Sequence, residues 1–112
     1  MTGGWIRACT VAELPPGQAI AIETEPPVAV FNTGDGFYAT DDTCTHEESS
    51  LAEGYLDGDV IECPFHMATF CVRTGKVLSP PATEPLRTYP TRTADGAVWI
   101  HLGGPDLTDR AE

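Results

Sequence analysis

Cys44-Thr45-His46 and, sixteen residues further on, Cys63-Pro64-Phe65-His66 decide how this chain is read. Each stretch holds one thiol and one imidazole, with one intervening residue in the first pair and two in the second. A thiolate is a soft donor that suits iron–sulfur clusters, zinc and Cu(I), and an imidazole suits iron, zinc and copper. Two of each can hold a tetrahedral zinc or the two irons of a binuclear cluster. The familiar zinc spacings keep like residues together, C-x2–4-C followed by H-x3–5-H. Mixed pairs instead suit a binuclear cluster. Each loop then gives a thiolate to one iron and an imidazole to the other, so one metal ends with two sulfurs and its neighbour with two ring nitrogens.

Outside those pairs the chain reads as a small β scaffold. Its 112 residues are enough for one small domain, and 10 Pro with 11 Gly imply a turn-rich one. Residues 5–9 read as a first strand and 13–17 as a Pro/Gly turn. Residues 18–23, 28–32 and 37–40 read as further strands, the last two joined by a hairpin turn at Asn32–Gly36. Asp41–Ser50 is then the first ligand loop. A turn at Asp57-Gly58 leads into a strand over 59–63 that delivers the second loop. Runs at 68–72 and 76–78 flank a hairpin at Arg73–Gly75, and closing strands over 86–91 and 97–102 flank Ala94–Gly96. No long helical period appears. The expectation is an all-β domain of short antiparallel strands, with a frayed polar tail from 103 to 112.

Seventeen acidic against six basic residues give a net charge of −11. Counterion physics makes nucleic acid a poor partner for such a chain. A basic protein surface is a better one, because complementary fields speed encounter. Plain solubility is the simpler use of the same charge. Residues 1–7 contain no apolar core of a secretory leader, and apolar runs such as Val28–Phe31 are too short to span a membrane. A cytoplasmic protein with no membrane contact is expected. In a reducing compartment Cys9 and Cys71 are expected as thiols acting as small hydrophobes on strands.

The arrangement of two thiolates on one iron and two imidazoles on the other is that of the Rieske centre. Cys44-x-His46 with Cys63-Pro64-x-His66 resembles the ligand signature of Rieske proteins. The surrounding Tyr55–Cys63 and Phe70–Pro81 stretches resemble the ferredoxins of bacterial aromatic-ring-hydroxylating dioxygenases, over roughly residues 5 to 102. The resemblance implies the Rieske fold, an antiparallel β basal domain (1–40 and 85–102) with an inserted cluster-binding subdomain at about 41–84. It implies one Rieske-type 2Fe–2S cluster held by Cys44, His46, Cys63 and His66. It also implies that Ser79-Pro80-Pro81 forms a lid beside the cluster. Respiratory-complex Rieske proteins carry an additional Cys in each ligand loop, joined as a disulfide. The matching positions here are Ser49 and Phe65, so the chain departs from that subclass.

Four protein ligands leave no coordination position for substrate. A mononuclear iron site would need roughly two further His and a carboxylate, and only His101 remains. The expected function is therefore that of an electron carrier and not an enzyme. It would pass single electrons from a flavin-dependent NAD(P)H-oxidising ferredoxin reductase to a terminal oxygenase, acting as a monomer, with His46 and His66 as the exit path. High-potential Rieske proteins place a Ser and a Tyr two and four residues after the second His; here those positions are Ala68 and Phe70. Glu47 and Glu48 follow His46 directly, and Glu47 is a candidate for the docking rim. A low potential, roughly −150 mV, is expected. Met67 beside His66 offers an adaptable apolar contact. The alternatives are a Rieske subunit of another redox complex, such as a nitrite reductase small subunit, and a zinc-binding interaction module.

Overall fold

The computed structural model describes residues 4–44, 49–64, 68–79 and 84–102. Within them the chain is all β apart from two short 3-10 turns, at Val11–Glu13 and Leu51–Glu53. The strands run β1 (Trp5–Thr10), β2 (Ala19–Ile22), β3 (Val28–Asn32), β4 (Phe37–Asp41), β5 (Tyr55–Asp57), β6 (Val60–Glu62), β7 (Thr69–Cys71), β8 (Val77–Ser79), β9 (Thr88–Tyr89), β10 (Thr91–Ala94) and β11 (Ala97–His101). They form three antiparallel sheets, ordered β1-β11-β10, β2-β3-β4-β9 and β5-β6-β7-β8.

β3 explains how the sheets stack. It reads Val-Ala-Val-Phe-Asn, and every residue in it is buried. Side chains alternate across a strand, and here the two faces serve different cores. Val28 and Val30 join Cys9, Leu14, Ala39, Tyr89, Val98 and Ile100 in one apolar cluster. Ala29 and Phe31 join Cys44, Leu51, Ile61, Cys63, Ala68 and Phe70 in the other. The strand is thus a wall between two cores, and an uninterrupted apolar run is what such a strand requires. The second cluster contains the thiols of both Cys/His pairs, Cys44 and Cys63.

The turn chemistry is local. β10 and β11 are joined through Asp95 (φ 55) and Gly96 (φ 74), two positive-φ residues as a tight primed hairpin turn demands. Thr10 accepts from the Glu13 backbone N–H through its hydroxyl, while the Glu13 carboxylate accepts from the Thr10 N–H at 2.8 Å. That reciprocal pair caps the first 3-10 turn. The expected plain turn at 13–17 is therefore preceded by a short helical one.

Two further differences from the sequence reading have simple causes. The run over 86–91 is not one strand. Pro90 separates β9, which pairs with β4, from β10, which pairs with β11. Proline has no N–H to give a ladder, and its carbonyl instead accepts from the His101 N–H at 3.0 Å. β5 is a strand beyond those the sequence predicts. Its residues alternate exposed, half-buried, exposed, so only Leu56 carries an inward signal.

Candidate metal centre

The loop expected to carry the first ligand pair leaves β4 and is closed by Asp42. This buried residue donates its N–H to the Pro27 carbonyl, and its own carbonyl accepts from the Leu51 N–H at 2.7 Å. Its Oδ1 accepts from the Ser50 hydroxyl at 2.9 Å and from the Ala52 N–H at 3.0 Å. Thr43 and Ser50 form a β-bridge across the loop neck, and the Cys44 N–H donates to the Ser49 carbonyl at 3.1 Å. An aspartate just before a loop suits this work, because one short carboxylate can satisfy several donors at once.

Beneath the loop, the Tyr89 hydroxyl donates to Asp41 Oδ1 at 2.5 Å. Burial first, and then the hydrogen bond and charge of Asp41, push the Tyr89 phenol up to about 12 from an ordinary 10.0. The phenol therefore stays protonated and keeps its donor role at all moderate pH.

The second loop is the connection of the β6–β7 hairpin. Glu62 pairs with Thr69, and beyond that pair the Cys63 N–H donates to the Ala68 carbonyl at 2.8 Å. The register of two short strands thus places Cys63 at the mouth of a four-residue connection, 64–67. At its far side, Thr69 Oγ1 lies 2.7 Å from Ser79 Oγ, and the Thr69 N–H donates to the same oxygen at 3.2 Å. Ser79, which opens the expected lid, is thereby tied to the strand that leaves the second ligand loop.

Both loops deliver their thiols inward. Cys44 is 3% exposed and Cys63 is fully buried. Ser49 spans the two loops. Its carbonyl accepts from Cys44, and its hydroxyl lies 3.2 Å from Cys63 Sγ in a buried contact. Leu51, Ile61, Ala68 and Phe70 surround them. A pair of thiols in an apolar wall, facing a hydroxyl, is a donor set that fits a metal–sulfur group.

His46 and His66, the expected imidazole ligands, lie outside the described residues. So do Glu47, Met67, Phe65, the Pro80-Pro81 pair of the lid and the tail from 103 onward. The remaining histidine, His101, ends β11 and meets the ring of Trp5 edge-on at 5.0 Å. Cys9 is buried in the other core, where burial pushes its thiol up. Cys71 is half-buried on β7. Burial raises its thiol, but hydrogen bonds from Thr74 and the Arg73 backbone outweigh this and leave it lowered.

Ser49 stands out only in the folded chain, where it touches both thiol-bearing loops. The two positions where a hydroxyl is expected to matter hold Ala68 and Phe70, both fully buried. The available signal was that Ser49 matches a position from which respiratory Rieske proteins reach across to the opposite loop.

The model of the Rieske 2Fe-2S domain matches residues 4–90. The 3-phenylpropionate/cinnamic acid dioxygenase ferredoxin subunit of Escherichia coli K12 is 50% identical over 98 residues, covering 87% of this chain and 92% of that protein. Among solved structures, a chain from the complex of reduced oxygenase and oxidized ferredoxin in carbazole 1,9a-dioxygenase superposes with a TM-score of 0.85 at 43% identity, covering 91% of this chain and 95% of that one. The ferredoxin of Sphingomonas yanoikuyae B1 follows at 0.82 and 39%, with 87% and 97% covered. Likeness to a nitrite reductase small subunit falls to 22% identity and concerns the fold alone.

Proposed function

The chain belongs to the Rieske 2Fe-2S domain family, and from that premise we propose that it is the electron-carrying ferredoxin of an aromatic-ring-hydroxylating dioxygenase system. In this reading it takes single electrons from an NAD(P)H-dependent flavin reductase and delivers them to a terminal oxygenase in the cytoplasm, as a monomer. One Rieske-type 2Fe–2S cluster is the group this family holds, and when bound it accepts and releases one electron.

Cys44 and Cys63 would hold one iron, and His46 and His66 the other, with residues 41–84 as the cluster-binding part. The observation that carries this reading is the delivery of Cys44 and Cys63, from separate loops, into one buried cluster with Ser49 touching both. Likeness over 92% of the length of a dioxygenase ferredoxin subunit supports the carrier role.

The chain's own residues have three tasks here. Asp42 holds the first loop closed. Leu51, Ile61, Ala68 and Phe70 exclude water from the sulfur side, which strengthens every electrostatic contact there. The carboxylates of the loop-bearing region favour a basic partner surface. Among the described residues no helix is long and apolar enough to cross a membrane.

Absorption and low-temperature EPR of the purified protein, before and after dithionite, test the reading. The expected result is broad visible bands that bleach on reduction and a signal of low average g, followed by turnover only when reductase and oxygenase are both present. A colourless protein containing one zinc per chain would overturn it.

A further inference from the structure

We propose that Ser49 is a potential-setting residue: its hydroxyl donates a hydrogen bond to the Cys63 thiolate and holds the cluster's reduction potential above the value it would have without that bond. This rests on the reading of Cys63 as a cluster ligand. The Ser49 Oγ to Cys63 Sγ distance is 3.2 Å, in a contact shielded from solvent. A thiolate bound to iron has no proton, so the hydroxyl must be the donor.

The hydroxyl is held in place by its backbone. The Ser49 carbonyl accepts from the Cys44 N–H at 3.1 Å, its neighbour Ser50 is bridged to Thr43, and the Leu51 N–H is bound by the Asp42 carbonyl. Ser49 itself is only 8% exposed. A hydroxyl dipole fixed in a low-dielectric wall acts more strongly than one in water. Ala68 and Phe70 belong to the same apolar group of buried residues and carry no hydroxyl, so neither duplicates the Ser49 contact.

The direction of the effect follows from charge. Adding one electron increases the negative charge on the ligand sulfurs, and a hydrogen bond to sulfur strengthens with that charge. The bond is therefore worth more in the reduced protein and favours reduction. The serine keeps its proton throughout, and no bond is made or broken.

Spectroelectrochemical titration of the intact iron-loaded protein tests this. Ser49→Ala is expected to lower the midpoint by about 59 mV, the equivalent of a tenfold shift in the one-electron equilibrium. Iron content and the average g of the reduced signal should stay as in the parent. Ser49→Thr keeps the hydroxyl and should stay near the parent value, while Ser49→Val, of the same shape without it, should fall with Ala. Equal potentials for Thr and Val, or an unchanged midpoint in loaded Ser49→Ala, overturn the proposal. Loss of the cluster from both Ala and Val overturns it too, making Ser49 a residue of cluster assembly. A parent protein that binds no iron–sulfur cluster would instead overturn the functional reading on which the proposal stands.

Discussion

Single side chains close the ligand loops, and their contributions are separable. Asp42 accepts hydrogen bonds from Ser50 and from the Ala52 backbone while buried. Asp42→Ala leaves those donors unsatisfied, at a cost of about 2–3 kcal/mol. Asp42→Asn retains one acceptor oxygen and should cost less. Urea unfolding measures both, and iron lost on gel filtration reports whether the first loop has opened. Tyr89 gives a pH-dependent case. Its phenol is raised in the folded state, so the stability tied to its proton is complete below pH 10 and drains away as pH rises toward about 12. Tyr89→Phe should be less stable than the parent by about 1–2 kcal/mol at neutral pH, and the gap should narrow through that alkaline window. A gap constant from pH 7 to 12 would contradict the Tyr89–Asp41 account.

At the scale of elements, short strands work here because their ends are tied to one another. β7 and β8 are three residues each, too short to stand alone. The turn between them is anchored by the Gly75 N–H donating to the Cys71 carbonyl, and the Leu86 N–H donates back to the Gly75 carbonyl at 2.8 Å. Gly75 sits at φ +81, and a Cβ there would lie 2.2 Å from the Leu86 carbonyl oxygen. Gly75→Ala thus meets both a strained backbone and a backbone clash. It should lower stability by at least about 2 kcal/mol, with a reduced urea midpoint and an unchanged slope. Gly58, also at positive φ (+62) but with open space around it, should cost less on the same substitution. The pair tells the close approach apart from the backbone penalty. Strands such as β3 were legible from sequence, since its apolar run needs no knowledge of its neighbours. The division of residues 86–94 between two sheets was only half legible. Pro90 marks a break, but which sheet each half joins depends on partners distant in the chain.

Across the whole molecule the charge is unevenly spread. Between Arg7 and Arg73 there is no Lys or Arg, and residues 41 to 62 alone carry eight carboxylates. Three of the cations lie over aromatic rings, Arg73 over Tyr38, Arg87 over Tyr89 and Arg92 over Trp5, and Arg73 also pairs with Asp59 at 3.8 Å. The part of the chain that bears the two Cys/His pairs is thus the part of the sequence richest in acidic residues. If that charge steers docking, the second-order rate of electron delivery to the oxygenase should fall by about tenfold as ionic strength rises from ~0.01 to ~0.15 M. Stopped-flow reduction of the oxygenase measures this, and a rate indifferent to salt would leave the acidity with a solubility role only.

The sequence by itself determined the chemistry and the class of fold. Two mixed Cys/His pairs at short spacing limit the metals they can hold, and alternating apolar residues broken by Asp-Gly and Pro turns limit the chain to short antiparallel strands. Both are properties of neighbours in the chain, so they can be read locally. Only the tertiary structure decided that β3 serves two cores, that Asp42 locks the first loop, and that the Ser49 hydroxyl meets the sulfur of Cys63. These are contacts between residues many positions apart, created by packing, and no local pattern in the chain encodes a distance between two loops.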